Sequence, residues 1–101
     1  MTKQELSERI AELYGVEAVE YAKNEHGDID NSCPNWLIDD TARMFELAVE
    51  HDIWILQLNE IVKCYPHNDL TIRETYNDHP TKLEATLWAI GLALVKKAET
   101  K

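Results

Sequence analysis

Cys64 and His67 stand three residues apart across a turn, and His79 follows twelve residues later. Thiolate and imidazole are zinc ligands. A strong zinc pattern pairs short spacings twice, whereas this sequence holds one pair and one stray histidine. The three are therefore read as a packed thiol and two loop histidines, and no metal or other cofactor is expected. Asp28-x-Asp30-x-Ser32, with Asp39 at the twelfth position, echoes a calcium loop. It departs where that loop needs its turn glycine, since Cys33 stands there and Pro34 follows at once. An Asx-rich surface turn explains these residues better.

A carboxylate suited to acid–base work must be set apart by its surroundings. Glu74 is the one candidate, because strand alternation places it on the same face as Leu70, Ile72 and Tyr76. Burial there would raise its pKa. The competing expectation is an outward turn at the strand end, or a pairing with Lys63 or Arg73. No glycine-rich phosphate loop, nucleophile elbow or H-E-x-x-H pattern is present. Three glycines in 101 residues leave few places for a catalytic loop. The chain is read as a non-enzyme. Trp36, Trp54 and Trp88 each sit in apolar sequence and are read first as core. Trp36 follows Pro34 in a loop-like stretch, so it is expected to be the most exposed and to anchor a binding surface.

Charge is the other distinctive resource. Residues 1–52 hold thirteen Asp and Glu against four Lys and Arg, whereas residues 53–101 hold six of each. The whole net charge of -9 thus belongs to the first half. Such a chain repels phosphate backbones and anionic bilayers, so direct nucleic-acid or membrane binding is disfavoured. A basic protein surface would be attracted and steered. The candidate interaction surface comprises Glu17, Glu20, Glu25, Asp28, Asp30, Asp39 and Asp40. Its sharpest form is mimicry of nucleic acid, with carboxylates placed where phosphates would sit. The bland alternative is a solubilising acidic exterior.

The start, Met1-Thr2-Lys3-Gln4-Glu5, has no apolar leader segment. The longest mostly apolar stretch, Leu87–Val95, is far short of the about 20 residues that span a bilayer. Two cysteines, 31 residues apart, build no disulfide scaffold. A cytoplasmic protein is expected.

One α+β domain covering 1–101 is predicted to position these residues. Thr2 and Glu5 form a capping box for a helix over about 3–14, with Leu6, Ile10 and Leu13 inward and Gly15 ending it. Residues 16–21 fit a short strand or another helical turn. The segment about 24–38 reads as an acidic, loop-rich connection. Asp39 or Asp40 caps a second helix whose stripe is Ala42, Phe45, Ala48 and Val49, widened by Met44 and Leu47. Ile53–Tyr65 is β-branched and aromatic, which favours a strand, although Trp54, Leu58, Ile61 and Val62 also fit a helical face. Residues 70–76 alternate, so a hairpin pairing 60–65 with 70–76 is expected. Thr81 and Glu84 open the last helix, whose residues 83–95 are apolar nearly all round. A helix of that kind is covered on several sides, and a homodimer contact through 83–95 is one way to cover it.

The order of these elements resembles the small phage and prophage proteins that carry the ABA-sandwich domain. The resemblance lies in Leu6–Gly15, in the helix entry Pro34-Asn35-Trp36-Leu37-Ile38-Asp39-Asp40-Thr41-Ala42, and in His79-Pro80-Thr81-Lys82-Leu83-Glu84-Ala85-Thr86-Leu87. It covers about residues 5–98. The last entry lacks the basic residue before Glu that many members have. The resemblance implies helices sandwiching a small antiparallel sheet in a phage or prophage setting, and it implies no reaction. The function expected is that of a small acidic accessory protein that binds a host or phage macromolecule. The alternative from another class is a small-molecule binder or minor enzyme, with a pocket between sheet and helix in which Glu74 or His67 would be the informative groups.

Overall fold

The computed structural model describes residues 2–23, 26–27, 29–67 and 70–99. The chain folds as α1 (Lys3–Tyr14), β1 (Val19–Lys23), β2 (Ile29–Trp36), a 3-10 turn (Leu37–Asp39) and α2 (Thr41–Glu50). Then come β3 (Trp54–Gln57), β4 (Ile61–His67), β5 (Leu70–Thr75), a second 3-10 turn (Tyr76–Asp78) and α3 (Lys82–Glu99). This is the expected α+β class, three helices with small antiparallel sheets: the hairpin β1–β2 and the meander β3–β4–β5.

Helix ends follow the local chemistry of the sequence. Thr2 Oγ1 accepts the Glu5 N–H at 3.1 Å, and Gly15, at φ 69°, closes α1 by donating its N–H to the Ala11 carbonyl. Only a residue without a Cβ takes that left-handed conformation at no cost. Asp40 Oδ1 caps α2 through the Arg43 N–H, and Thr81 Oγ1 caps α3 through the Glu84 N–H. His51 is the C-cap of α2 and packs its ring 4.4 Å from that of Tyr14. Lys97 Nζ donates to the His51 carbonyl and Tyr14 Oη donates to the Leu94 carbonyl, so the C-terminal ends of all three helices are tied together.

The last helix lies at the centre. It packs against β4 and β5 on one side and against α1, α2 and the 3-10 turn at Leu37 on others. Ala85, Leu87, Ala89, Ile90, Ala93 and Leu94 are all buried. Most of the apolar wrap of 83–95 is thus covered by its own chain, which supplies most of the cover that a dimer contact there was expected to give. Leu83, placed on the buried face by the sequence pattern, is 47% exposed. At Gly91 the crossing is so close that a Cβ would lie 2.8 Å from Ile38 Cδ1 and 2.9 Å from Leu6 Cδ2. Ser7, fully buried on α1, accepts the Ile38 N–H at 3.1 Å and fixes the 3-10 turn against α1.

Two expectations from the sequence are corrected. The stretch read as a loop over about 24–38 contains β2, which pairs Val19 with Trp36 and Lys23 with Ile29. Its register shifts between Tyr21 and Ala22, whose partners Pro34 and Asp30 leave three β2 residues unmatched. That irregularity accommodates proline within a strand. The stripe of α2 is also rotated. Met44, Leu47 and Ala48 are buried, whereas Ala42 and Val49 are exposed.

Candidate functional site

Of the acidic residues singled out from the sequence, Glu17, Glu20, Asp39 and Asp40 lie on the segments that flank the base of the β1–β2 hairpin. The Leu37 N–H donates to the Ala18 carbonyl at 2.9 Å, which joins the start of β1 to the 3-10 turn. Glu17 and Glu20 flank Ala18 and are exposed. Asp39 and Asp40 follow Leu37 and are exposed too. These two have local work as well. Asp39 Oδ1 lies 3.0 Å from Lys3 Nζ, and the hydrogen bond between them raises the Lys3 pKa. Asp40 caps α2. Asp30 is paired with Ala22 in the hairpin ladder. Its side chain, like Glu25 and Asp28, lies outside the described residues.

Trp36 is not the exposed tryptophan. It ends β2 and packs, half-buried, against the core. Trp54, read from the sequence as core, is 76% exposed on β3. The signal was the alternation itself. Ile53 and Ile55 turn inward, so Trp54, Leu56 and Leu58 turn outward. Across the ladder Trp54 faces Tyr65 and Leu56 faces Lys63. Asp52, Trp54, Ile55, Leu56, Tyr65, Pro66 and Lys97 line an open cleft of about 740 Å³ between the sheet and the end of α3.

Glu74 lies on the inner face of the sheet, as its alternation with Ile72 requires. Its partner is neither Lys63 nor Arg73. Glu74 Oε2 sits 3.1 Å from His79 Nε2, and the two side chains are only 19% and 15% exposed. The imidazole ring packs 6.0 Å from Trp88 on α3. Beside this pair, Gln57 Nε2 donates to Thr86 Oγ1 at 3.0 Å, and Thr86 donates onward to the Lys82 carbonyl. A carboxylate beside an imidazole can orient the ring and hold a proton. Here the pair bridges β5 to the segment leading into α3, and it lies outside the Trp54 cleft.

Cys64 is a free, fully buried thiol, and desolvation pushes its pKa up to about 12. Metal ligation and nucleophilic attack need the thiolate, which this environment disfavours. The His67 side chain lies outside the described residues, and among the described residues no group of three or more His, Cys, Asp or Glu could hold a metal ion. No described helix is long and apolar enough to cross a membrane. No family model, curated protein or solved structure matches the chain.

Proposed function

We propose that the chain is a small, non-catalytic accessory protein that acts by binding a macromolecule with a basic surface. The observation that carries this reading is the separation of charge. Thirteen acidic residues stand against four basic ones in residues 1–52, and the second half is neutral. Glu17, Glu20, Asp39 and Asp40, exposed at the hairpin base, give that charge a place from which to meet a partner. Opposite charge across an interface speeds encounter and selects partners. The mimicry form of this reading requires Glu25, Asp28 and Asp30 to extend the same face. The resemblance in the entries to α2 and α3 supports a phage or prophage setting, within the cytoplasm of the bacterial host.

The test is capture of partners from host lysates on the immobilised protein, in parallel with a Glu17→Lys/Glu20→Lys variant. A partner held near stoichiometry by the native chain, released by moderate salt and lost in the variant, is the expected result. Equal capture by both, or no partner from several hosts, contradicts the reading.

Small-molecule binding has one observation in its favour, the cleft between the sheet and α3. Glu74, the group expected to mark such a site, does not line it. A thermal-shift screen against nucleotides and metal ions separates the two readings, since a ligand of the folded state raises the melting temperature by mass action.

A further inference from the structure

The sheet β3–β4–β5 has two outer edges, and they differ in kind. The Leu58 N–H donates to the Ile61 carbonyl at 2.8 Å, which sets the phase of the β3–β4 ladder. Trp54 and Leu56 then bond to β4, and the backbone groups of Ile55 and Gln57 point away from it. No other described strand pairs with that side of β3. Edge strands in proteins that stay apart carry charges, prolines or bulges. β3 reads Trp-Ile-Leu-Gln and has none of these, and its register with β4 is unbroken. The opposite edge, β5, carries exposed Arg73 and is followed at once by a 3-10 turn. One edge is guarded and the other is open.

The geometry points to a second copy of this chain as the occupant of the β3 edge, paired antiparallel about a two-fold axis at Leu56. In that register Ile55 bonds to Gln57 of the other copy and Gln57 to its Ile55. All four outward-facing backbone groups of each strand are thereby used. Leu56 meets its own counterpart, and Trp54 meets Leu58. Those three residues are 45%, 76% and 41% exposed in the single chain, and each becomes the neighbour of another apolar side chain. A contact in which one patch serves both sides is what two-fold symmetry demands. Residues 54–58 carry no charge, so the paired strands themselves bring no like charges together, although Asp52 and Glu60 flank them.

The contact is small. Trp54 contributes up to about 200 Å², and a strand of four residues falls short of the about 800 Å² per partner in standard interfaces. The dimer is accordingly reversible. Because each copy carries -9, added salt strengthens it by screening their mutual repulsion, opposite to the salt response of a basic partner.

Sedimentation of the full chain from about 1 μM to about 1 mM tests this. The expected result is a shift from 11.7 kDa towards twice that mass, enhanced by salt and abolished by Leu56→Lys with an unchanged thermal melt. Under mild oxidation Leu56→Cys should form an intermolecular disulfide at least tenfold faster than Thr71→Cys, an exposed position on β5, because the two Leu56 positions face each other in a non-hydrogen-bonded pair. The cysteine variants keep the proposal testable if Leu56→Lys fails to fold. A chain that stays at 11.7 kDa throughout overturns it. So does a dimer indifferent to Leu56→Lys in a folded variant, or crosslinking at Leu56 no faster than at Thr71.

Discussion

Gly91 on α3 faces Leu6 on α1 so closely that a Cβ at position 91 would come within 2.9 Å of Leu6 Cδ2. It would lie 2.8 Å from Ile38 Cδ1 as well. Both contacts are side-chain methyl ends, which yield more easily than backbone, but both residues are buried in the core. Overpacking of this kind costs about 1–3 kcal/mol, and the gain in helix propensity from Gly to Ala offsets about 1 kcal/mol. Gly91→Ala should therefore lower stability by about 1 kcal/mol, and Gly91→Val by more, as measured by urea unfolding. A Gly91→Ala chain more stable than the native one would contradict the close crossing.

Ser7→Ala removes the only acceptor shown for the Ile38 N–H, in a place without solvent. A buried donor left unpaired costs about 1–3 kcal/mol. The melting temperature should fall by about 4–8 °C per kcal/mol in a domain of this size. Ser7→Thr, which keeps the hydroxyl, should not reproduce the loss of that hydrogen bond. Equal amide-exchange rates at Ile38 in native and Ser7→Ala chains would contradict the assignment.

The Glu74–His79 contact should appear as a coupling energy. A double-mutant cycle with Glu74→Ala and His79→Ala, read by chemical unfolding, should give about 1.5–3 kcal/mol, as expected for a largely buried hydrogen bond to a carboxylate. Additive losses to within about 0.3 kcal/mol would show that the two side chains act independently.

Cys64 makes a prediction about pH. Its thiol is raised from 9.0 to about 12 by burial. Between those values the unfolded chain releases the proton and the folded chain keeps it. Stability is therefore fully present below pH 9 and declines from there towards pH 12, by up to about 1.4 kcal/mol per pH unit for this one group. The comparison with Cys64→Ala isolates it, because that variant lacks this part of the decline. In a Cys33→Ser background the remaining thiol should react with a disulfide reagent only as fast as the chain unfolds. Rapid labelling of the native state would contradict the burial.

Features fixed by neighbouring residues were legible in the sequence. The caps at Thr2 and Thr81, the stop at Gly15 and the hairpin of 60–65 with 70–76 all depend on local chemistry, and all are present. Features fixed by distant partners were not. The β2 segment is rich in Asp, Asn and Ser, and Pro34 argues against a strand, yet pairing with β1 across an irregular register overrides that composition. The orientation of α2 depends on where α3 lies, so Val49 was expected inside and is 77% exposed. The alternation of β5 placed Glu74 on the inner face correctly, but its histidine partner arrives from the connection to α3. Gly91 carries a signal of its own. A lone glycine within a helix is unfavourable, and close packing is a common reason for it. Trp54 in its apolar stretch suggests a core, whereas β3 is an edge and leaves it exposed.

The central claim is that the acidic first half meets a basic partner at the hairpin base. The most direct measurement is quantitative capture from host lysate by the native chain and by Glu17→Lys/Glu20→Lys, eluted across a salt gradient. A stoichiometric partner that leaves the native chain as salt rises, and is absent from the variant, is the predicted outcome. The same partner retained equally by both chains would contradict the claim.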